Sequence, residues 1–383
     1  MLDHRLDEEH EALRKTVEEF AHEVVAPVIG GYYERGEFPY EIVRQMGAMG
    51  LFGLPFPEEY GGMGGDYLAL CLALEELARV DSSVAITLEA GVSLGAMPIY
   101  RFGSEEQKRE WLPRLCAGEA LGAFGLTEPG GGSDAGATAT TARLDGDEWV
   151  INGSKSFITN SGTDVTAFVT VTAVTAVGED GRKQISSILV PSGTPGFVVA
   201  PKYSKVGWLA SDTHELSFTD VRVPRANLVG EEGRGYAQFL RILDEGRIAI
   251  SAMSTGLAQG CVDESVRYAR ERSAFGKAIG ENQSIAFMLA DMQVRAHLSR
   301  LAYYDAASRM LRGEPFKQQA AIAKLYSSDA AVTNAREGTQ IHGGYGFMND
   351  FPVARMWRDA KVLEIGDGTN EVQRMLIARE LGF

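Results

Sequence analysis

The chain changes its hydrophobic periodicity twice, and this change constrains the fold more than any single motif does. Apolar side chains recur at helical spacing up to about residue 120 and again from about residue 233, whereas the stretch between them contains short β-rich runs. The sequence therefore predicts an α+β protein with an N-terminal helical domain (1–120), a middle β-barrel or sandwich domain (121–232) and a C-terminal four-helix bundle (233–383).

Helices are predicted on both sides of the β region. Near the start, the apolar residues at helical spacing are Leu6, Leu13, Val17, Phe20 and Val24. Pro27 is expected to end this helix, because proline cannot donate the next backbone hydrogen bond. Ser104, with a glutamine three residues later, predicts a capped helix over 105–115. The other predicted helices cover 68–80, 84–102, 236–272, 283–311, 316–340 and 369–381.

Turn signals and β-rich runs define the middle region. The dipeptides Asp145-Gly146 and Asn152-Gly153 are both typical of tight hairpin turns. The β-rich runs cover 149–151, 167–174, 185–190, 197–200 and 215–218. Together these features predict a small barrel or sandwich.

Charge and cysteine content limit the possible partners. The formal net charge is −15, which argues against nucleic acid or an anionic membrane as a general partner. The start of the chain is acidic, so a secretory signal is not expected, and no apolar run is expected to span a bilayer. Cys71, Cys116 and Cys261 are scattered, which favours small core side chains and a reducing cytoplasm. The Met1 start suggests that this cytoplasm is bacterial.

A glycine-rich segment, 124–134, follows the first apolar run of the β region. Its three consecutive glycines stand between Thr127 and Ser133, so backbone N–H groups and two hydroxyls can bind an anion or a cofactor. The segment has neither the lysine of a Walker loop nor the strand–turn–helix setting of a dinucleotide fingerprint. Taken alone, a flexible surface turn explains the segment about as well.

Two later glycine clusters each have two interpretations. In 340–347 a helix end explains one glycine but not the whole cluster. His342 is expected to be packed or hydrogen-bonded rather than a base, and no second histidine nearby suggests a metal. In 366–374, Thr369 or Asp367 can cap the last helix, or the helix N-terminus can bind a cofactor oxygen. The second interpretation leaves the Asp367 carboxylate on an open, glycine-flanked turn.

Taken together and in this order, the motifs resemble those of the acyl-CoA dehydrogenase family over essentially the whole chain. Segment 124–134 matches the first family signature, and segment 340–347 matches the second. Residues 272–277, followed by Gln283, match a third block. Each match alone is moderate support, whereas the matches in register along the chain are strong support.

The resemblance implies an FAD cofactor between the middle domain and the C-terminal bundle. From the same subunit, FAD is expected to contact Phe124, Leu126, Thr127, Ser133, Phe157, Thr159, Thr369 and Glu371. From a neighbouring subunit of a homotetramer, a dimer of dimers, it is expected to contact Arg272, Gln283, Gln340, Gly343 and Gly344. The acyl-CoA substrate is expected to contact Ser133, Asp244, Arg247 and Gly368. The implied electron acceptor is electron-transferring flavoprotein.

The family removes the α-proton of the thioester with a carboxylate, and the matching residue here is Asp367 instead of the usual glutamate. Aspartate is one methylene shorter, which is about 1.5 Å of reach. A minority of relatives carry the base just before the residue that matches Arg247, but that position is Gly246 here, and neighbouring Glu245 is expected to point elsewhere. Asp367 is therefore the expected base. Gly366, where many relatives have tyrosine, offers room for a bulkier or branched acyl group.

The resemblance favours FAD-dependent α,β-dehydrogenation of a short, medium or branched acyl-CoA, in fatty acid or branched-chain amino acid degradation. The match of residues 244–247 to acyl-CoA-contacting positions supports this function. The alternative is a flavin oxidase that resembles nitroalkane oxidase, because that enzyme uses no CoA and has an aspartate base. A non-catalytic flavoprotein is the third possibility.

Overall fold

The computed structural model of the protein describes residues 6–383 and contains a helical region, a β region and a second helical region in the predicted order. The predicted α+β class is therefore confirmed. The expectation that no secretory signal is present falls partly on residues 1–5, which lie outside the described residues.

The N-terminal region consists of helices that pack on one another and on the C-terminal bundle. Their bounds are α1 (Glu8–Phe20), α2 (Ala26–Arg35), α3 (Tyr40–Ala48), α4 (Tyr67–Val80), α5 (Ser82–Glu89), α6 (Met97–Phe102) and α7 (Glu105–Cys116). Two π-helical turns, Ala21–Val25 and Ala90–Ala96, join α1 to α2 and α5 to α6. The predicted capping box of α7 is present, because the Ser104 hydroxyl accepts from the Gln107 N–H over 3.2 Å.

The prediction that Pro27 ends the first helix is wrong. The chain stays helical over 8–35, and Pro27 lies in the first turn of α2. The π-helical turn Ala21–Val25 changes the hydrogen-bonding pattern just before the proline, so the missing N–H falls where a helix tolerates it. The helix ends instead at Gly36, which adopts the left-handed conformation (φ 62°).

The middle region is a β-sheet with a separate apolar core. Its strands are β1 (Leu121–Gly125), β2 (Thr141–Asp145), β3 (Glu148–Thr159), β4 (Thr166–Val177), β5 (Lys183–Pro191), β6 (Phe197–Val199), β7 (Thr213–Pro224) and β8 (Leu228–Val229). The strand order is β6-β7-β3-β2-β4-β5-β8, and β1 adds to the sheet as a parallel neighbour of β4. Trp149, Ile151 and Val171 are among the side chains that fill its core.

One of the two predicted hairpin turns is confirmed and the other is wrong. Asp145 ends β2, and the turn that includes Gly146 leads into the antiparallel strand β3. Asn152-Gly153 instead lies inside β3, where the pairing with β7 shifts by a bulge. Gly153 is required there because a Cβ would lie 2.5 Å from the Thr140 hydroxyl oxygen.

The C-terminal region is a helical bundle built around one long helix. Its helices are α8 (Gly235–Glu271), α9 (Gln283–Leu311), α10 (Lys317–His342), α11 (Pro352–Leu363) and α12 (Asn370–Glu380), with a short ribbon β9 (Ser273–Ala274) and β10 (Lys277–Ala278). Helix α8 packs against α9, α10 and the N-terminal helix α4. A Cβ at Gly256 would lie 2.0 Å from the Glu75 carbonyl oxygen, so glycine allows α8 to approach α4 closely.

The apolar stretch 82–102 contradicts the expectation that no apolar run is long enough to span a bilayer. It is long and apolar enough to cross a membrane by length and composition alone, with a mean hydropathy of 1.3. In the folded chain 94% of its most apolar window is buried inside the protein, as in a core helix. The three cysteines are buried as predicted.

Candidate active site

Asp367 lies in the turn between α11 and α12. The backbones of Asp367 (φ 51°) and Gly368 (φ 85°) both adopt left-handed conformations. Aspartate tolerates this conformation better than most residues do. The Gln373 side-chain amide donates to the carbonyl of Asp367 over 3.3 Å and to that of Gly368 over 2.8 Å. These bonds give the glycine-flanked turn a defined shape.

Lys324 on α10 supports the same turn. Its ammonium group donates to the Gly368 carbonyl over 2.9 Å and to the Asn370 side-chain oxygen over 3.1 Å. Burial lowers the pKa of Lys324 to about 8. Burial also raises the pKa of the Asp367 carboxyl, and the positive charges of Lys324 and Arg247 oppose that rise. Asp367 is thus a half-buried carboxylate that burial strengthens as a base and that two cations help to keep ionised.

Thr369 caps α12, as one of the two interpretations of this segment predicts. Its hydroxyl oxygen accepts from the Val372 N–H over 3.3 Å. Capping is compatible with a cofactor contact, because a hydroxyl that accepts one hydrogen bond can still donate another. Glu371, in the first turn of the helix, is exposed.

The segment of α8 that was expected to contact acyl-CoA borders this turn. The Arg247 guanidinium pairs with Asp244, while its buried Nε–H finds no partner within residues 6–383. Such a donor is suited to a polar atom of a ligand. Glu245 points elsewhere, as predicted, because its carboxylate pairs with Arg101 over 3.1 Å.

An ion pair between the buried Lys155 and the half-buried Glu128 anchors the glycine-rich segment 124–134. The Lys155 ammonium donates to the Glu128 carboxylate over 2.7 Å, to the Leu126 carbonyl over 3.1 Å and to the Thr172 hydroxyl over 3.1 Å. Glu128 also accepts from backbone N–H groups at 139 and 140. The base of the loop is therefore fixed, whereas Ser133 near its tip is exposed.

Several residues expected to contact FAD meet at the ends of β1 and β3. The Ser156 N–H donates to the Thr127 carbonyl over 2.8 Å, so the two strand ends lie side by side. Phe124 stacks on Phe239 of α8 with ring centroids 4.5 Å apart, and Leu126 packs on this pair. Phe157 follows with a left-handed backbone (φ 62°) and a ring that is 66% exposed. The expected FAD contacts at this place are Phe124, Leu126, Thr127 and Phe157, with Thr159 two residues further along β3.

A second group of expected cofactor residues lines a different place. Arg272, Gly343 and Gly344 border a cavity of 540 Å³ together with Tyr268, Ile279, Ile341, His342, Tyr345 and Met348. Gln283 and Gln340 are exposed and do not line this cavity in the described part of the chain. None of residues 124–134, all of which the structure describes, lines the cavity either. The structure thus separates the two groups.

His342 is a packed residue, as predicted. Its Nδ1 lies 2.8 Å from the Gly338 carbonyl oxygen, and its ring stacks on Tyr268 with centroids 4.2 Å apart. Burial lowers the pKa of His342, so its ring is neutral near pH 7. The Gly343 that follows ends α10.

The exposed glycines and aromatic rings fit a flavin nucleotide. A Cβ built at Gly130, Gly343 or Gly344 would meet no heavy atom of the described chain within 4 Å, so a ligand can approach the backbone there. The exposed ring of Phe157, 5.2 Å from the half-buried ring of Tyr203, offers a surface on which a flat ring system can stack.

Sequence reasoning missed the charged residues that support the site from the interior. Lys155, Lys324 and Glu89 are each 0% exposed. Lys155 lies in a strand and Lys324 in an alanine-rich helix, while Glu89 interrupts the apolar stretch 82–102. A charged residue within an apolar pattern was the available signal, but its partners depend on tertiary contacts that periodicity does not reveal.

Comparison with protein-family models gives three matches in chain order. The acyl-CoA dehydrogenase N-terminal domain matches residues 7–119, the middle domain matches 123–221 and the C-terminal domain matches 233–382.

Individual proteins agree with these matches. A probable acyl-CoA dehydrogenase of Bacillus subtilis is 47% identical over 376 residues, which is 98% of each chain. Butyryl-CoA dehydrogenase from Megasphaera elsdenii has a solved structure with a TM-score of 0.95 and 41% identity, over 99% of this chain and all of that one. A chain in a structure reported for the electron transferring flavoprotein of Acidaminococcus fermentans has a TM-score of 0.96 and 41% identity over 100% of both chains.

Proposed function

This chain belongs to the acyl-CoA dehydrogenase family, and we propose that Asp367 is the base with which it dehydrogenates a short acyl-CoA thioester. The family makes it an oxidoreductase that binds FAD and dehydrogenates the α,β-bond of an acyl-CoA. The observation that carries the proposal is the position of the Asp367 carboxyl, on a supported turn beside Lys324 and Arg247.

In the proposed reaction, an oxygen of the Asp367 carboxylate takes the proton from the carbon next to the thioester carbonyl. The C–H bond breaks, an O–H bond forms, and the electron pair moves toward the thioester oxygen. The backbone N–H of Asp367 has no partner among the described residues and can donate to that oxygen as charge develops on it. Bound FAD supplies the acceptor for the hydride that leaves the adjacent carbon.

We propose two groups of cofactor contacts. Within one subunit, the anchored glycine-rich loop and the exposed Phe157 ring support a role in holding the flavin side of FAD, and the residues assigned to this group are Phe124, Leu126, Thr127, Ser133, Phe157, Thr159, Thr369 and Glu371. In the second group, a cationic and open surface supports contact with FAD of a neighbouring subunit, and its members are Arg272, Gln283, Gln340, Gly343 and Gly344.

The thioester itself is assigned to the cleft beside Arg247. The unpartnered Nε–H of this residue supports a polar ligand, and the proposed contacts are Ser133, Asp244, Arg247 and Gly368. A short acyl group is proposed because the Megasphaera elsdenii relative is a butyryl-CoA dehydrogenase. A branched acyl group from amino acid degradation is the second candidate, since Gly366 adds no side chain to the turn. The nitroalkane-oxidase-like alternative is not favoured, because the relatives named here are acyl-CoA dehydrogenases.

We propose that the chain forms a homotetramer, a dimer of dimers. Phe275, on the turn of the β9–β10 ribbon, is 98% exposed, and Phe347 is 80% exposed. Large apolar side chains next to the second group of cofactor contacts support coverage by another copy. The proposed electron acceptor is electron-transferring flavoprotein, which the likeness to a chain in the Acidaminococcus fermentans structure supports.

The remaining proposals concern organisation and location. We propose domains at 1–120, 121–232 and 233–383, each with one secondary-structure class. The net charge of −15 supports a protein that binds neither nucleic acid nor a membrane surface. The bacterial relatives support a cytoplasmic location.

Anaerobic mixing tests the proposed function. The FAD-loaded protein is mixed with butyryl-, isobutyryl- and octanoyl-CoA, and the loss of flavin absorbance is followed. Rapid bleaching with butyryl-CoA is expected, and faster bleaching with isobutyryl-CoA would favour the branched substrate. Bleaching with a nitroalkane and with none of the CoA esters would overturn the proposal.

A further inference from the structure

Glu89 is a buried carboxyl group that the proposed reaction does not use. It is the last residue of α5, directly before the π-helical turn Ala90–Ala96, and it is 0% exposed. Neither of its carboxyl oxygens has a hydrogen-bond partner among residues 6–383. Because an unpartnered buried carboxyl group is costly to folding, its presence in an apolar helix requires an explanation.

The Glu89 carboxyl lies beside Gly246 of α8, the residue before Arg247. A Cβ built at Gly246 of α8 would lie 3.9 Å from Glu89 Oε1, which is the only contact within 4 Å that the described residues would make with it. The absence of a side chain at Gly246 therefore leaves space in front of the Glu89 carboxyl. The Asp367 carboxylate is close enough for its charge to raise the pKa of Glu89.

The other ionisable groups around Glu89 and Asp367 come from four helices. Helix α4 contributes Tyr67 and Cys71, which are neutral because burial raises their pKa values. The groups that carry charge are Glu245 and Arg247 on α8 and Lys324 on α10. Glu245 is paired with Arg101 of α6. The positive groups adjoin Asp367 rather than Glu89, because both Lys324 and Arg247 lower the pKa of Asp367.

The two carboxyl groups therefore differ in their tendency to ionise. Burial raises the pKa of both. At Asp367 two cations oppose the rise, whereas at Glu89 the charge of Asp367 adds to it. Two like charges close together repel, so ionisation of one carboxyl disfavours ionisation of the other.

We propose that Glu89 and Asp367 share a single proton in the resting enzyme, with Asp367 as the ionised base and Glu89 as its protonated positioning residue. This inference rests on the proposed function, because it takes Asp367 as the base. A neutral Glu89 leaves one negative charge in the cleft before reaction, so the charge that develops on the thioester meets no second carboxylate. Ionisation of Glu89 at alkaline pH introduces that repulsion and slows proton removal.

Infrared spectroscopy tests the protonation state directly. The FAD-loaded wild-type enzyme and the Glu89→Gln variant are compared at neutral pH in D2O. Glutamine keeps the size of the side chain but cannot ionise. The wild-type-minus-variant spectrum is expected to contain the C=O stretching band of a protonated carboxylic acid. Other protonated carboxyl groups, such as Asp359, cancel in the difference. A difference spectrum with only carboxylate bands would overturn the proposal.

Glu245→Gln is the matched control for the infrared experiment. Glu245 is also a buried glutamate near the cleft, but Arg101 neutralises it. Its wild-type-minus-variant spectrum is expected to contain carboxylate bands and no protonated-acid band. If Glu89→Gln fails to fold, Glu89→Asp serves instead, and the protonated-acid band is then expected to shift in frequency and remain.

The pH profile tests the positioning role. The ratio of kcat/KM for Glu89→Gln to that of the wild type is expected to rise by about tenfold at alkaline pH, because only the wild-type carboxyl can ionise there. The titration of Lys324 near pH 8 affects both enzymes and largely cancels in the ratio. A ratio that is flat with pH would overturn the role. Failure of the wild type to oxidise any acyl-CoA would contradict the proposed function, while the infrared result would still decide the protonation of Glu89.

Discussion

The ammonium of the buried Lys324 donates a hydrogen bond to the Gly368 carbonyl over 2.9 Å, and this bond connects α10 to the turn that carries Asp367. A turn flanked by glycines is otherwise free to move. Aspartate also has a shorter reach than glutamate, and a displacement of about 1 Å can cost on the order of a hundredfold in rate. The support that Lys324 gives to the turn is therefore important for a base at this position.

Replacing Lys324 changes both the shape of the turn and the acidity of the base. Lys324→Met removes a positive charge that opposes the rise in the Asp367 pKa, so that pKa is expected to increase further. The acid limb of the kcat/KM profile is expected to move to higher pH, and kcat to fall about tenfold or more because the turn loses its donor. Stopped-flow bleaching over a range of pH measures both effects.

Lys361→Met is the matched control for this variant. Lys361 pairs with Glu364 at the exposed end of α11, close in sequence to the same turn. Its replacement is expected to leave both the acid limb and kcat unchanged. An acid limb that stays in place in Lys324→Met would show that Lys324 does not tune the base.

The buried pair of Lys155 and Glu128 is expected to control cofactor affinity. Lys155→Met removes the donor that fixes the base of the glycine-rich loop, so the FAD dissociation constant is expected to rise about tenfold, equivalent to ~1.4 kcal/mol. Equilibrium dialysis against FAD measures this change. Lys108→Met, which breaks a surface pair with Glu105, is expected to have no effect.

The same pair predicts how FAD binding depends on pH. Burial lowers the pKa of Lys155 to about 8, so its ammonium loses a proton as pH rises through 8 and the ion pair with Glu128 is lost. The wild type is therefore expected to release FAD more readily above pH 8, measured as an increase in free flavin fluorescence. Equal pH dependence in Lys155→Met would contradict this assignment.

Asp359 is expected to make the stability of the fold depend on pH. Its buried carboxyl accepts from the Tyr33 hydroxyl over 2.5 Å, from the Ser82 hydroxyl over 2.9 Å and from the Trp208 N–H over 2.6 Å, so it joins all three regions of the chain. Burial and the nearby Asp81 raise the pKa of Asp359 to about 7. The folded state therefore retains a proton that the unfolded state loses between about pH 4 and pH 7.

This difference lowers the free energy of unfolding as pH rises from 4 toward 7. The loss is expected to be on the order of 1 kcal/mol or more, and Asp359→Asn is expected to show a flatter dependence because asparagine does not titrate. Urea unfolding at intervals between pH 4.5 and 8 measures the slope. Asp180→Asn, at an exposed turn of the β region, is expected to retain the wild-type slope. If the free energy of unfolding of Asp359→Asn has the same pH slope as that of the wild type, Asp359 is not the source of the pH dependence.

The sequence predicted the long helices well because their periodic apolar faces are local signals. Helix α9 has the predicted bounds, 283–311, and α8 differs from its predicted range by one residue at each end. The short helix α11 (Pro352–Leu363) was not among the predicted helices, because it follows a glycine cluster and is only three turns long. The local rules gave wrong predictions at Pro27 and at Asn152-Gly153, because a π-helical turn and a β-bulge accommodate these residues.

The motif residues of the candidate site could be recognised from the sequence, but the buried charges beneath them could not. Asp367 and Thr369 stand in a recognisable segment before the last helix. Lys324 bonds to Gly368, which lies 44 positions later in the chain. Glu89, whose pKa the charge of Asp367 raises, belongs to the N-terminal region. Contacts between distant segments of this kind depend on how the helices pack, which local patterns do not specify.

The most direct test is single-turnover bleaching of FAD-loaded Asp367→Asn with butyryl-CoA in the absence of oxygen, beside the wild type. Asparagine keeps the shape of the side chain but cannot accept the α-proton, so the variant is expected to bind FAD normally and to bleach at least a thousandfold more slowly, on the order of the loss of a general base. Bleaching at a rate close to that of the wild type would contradict the assignment and place the base on another residue.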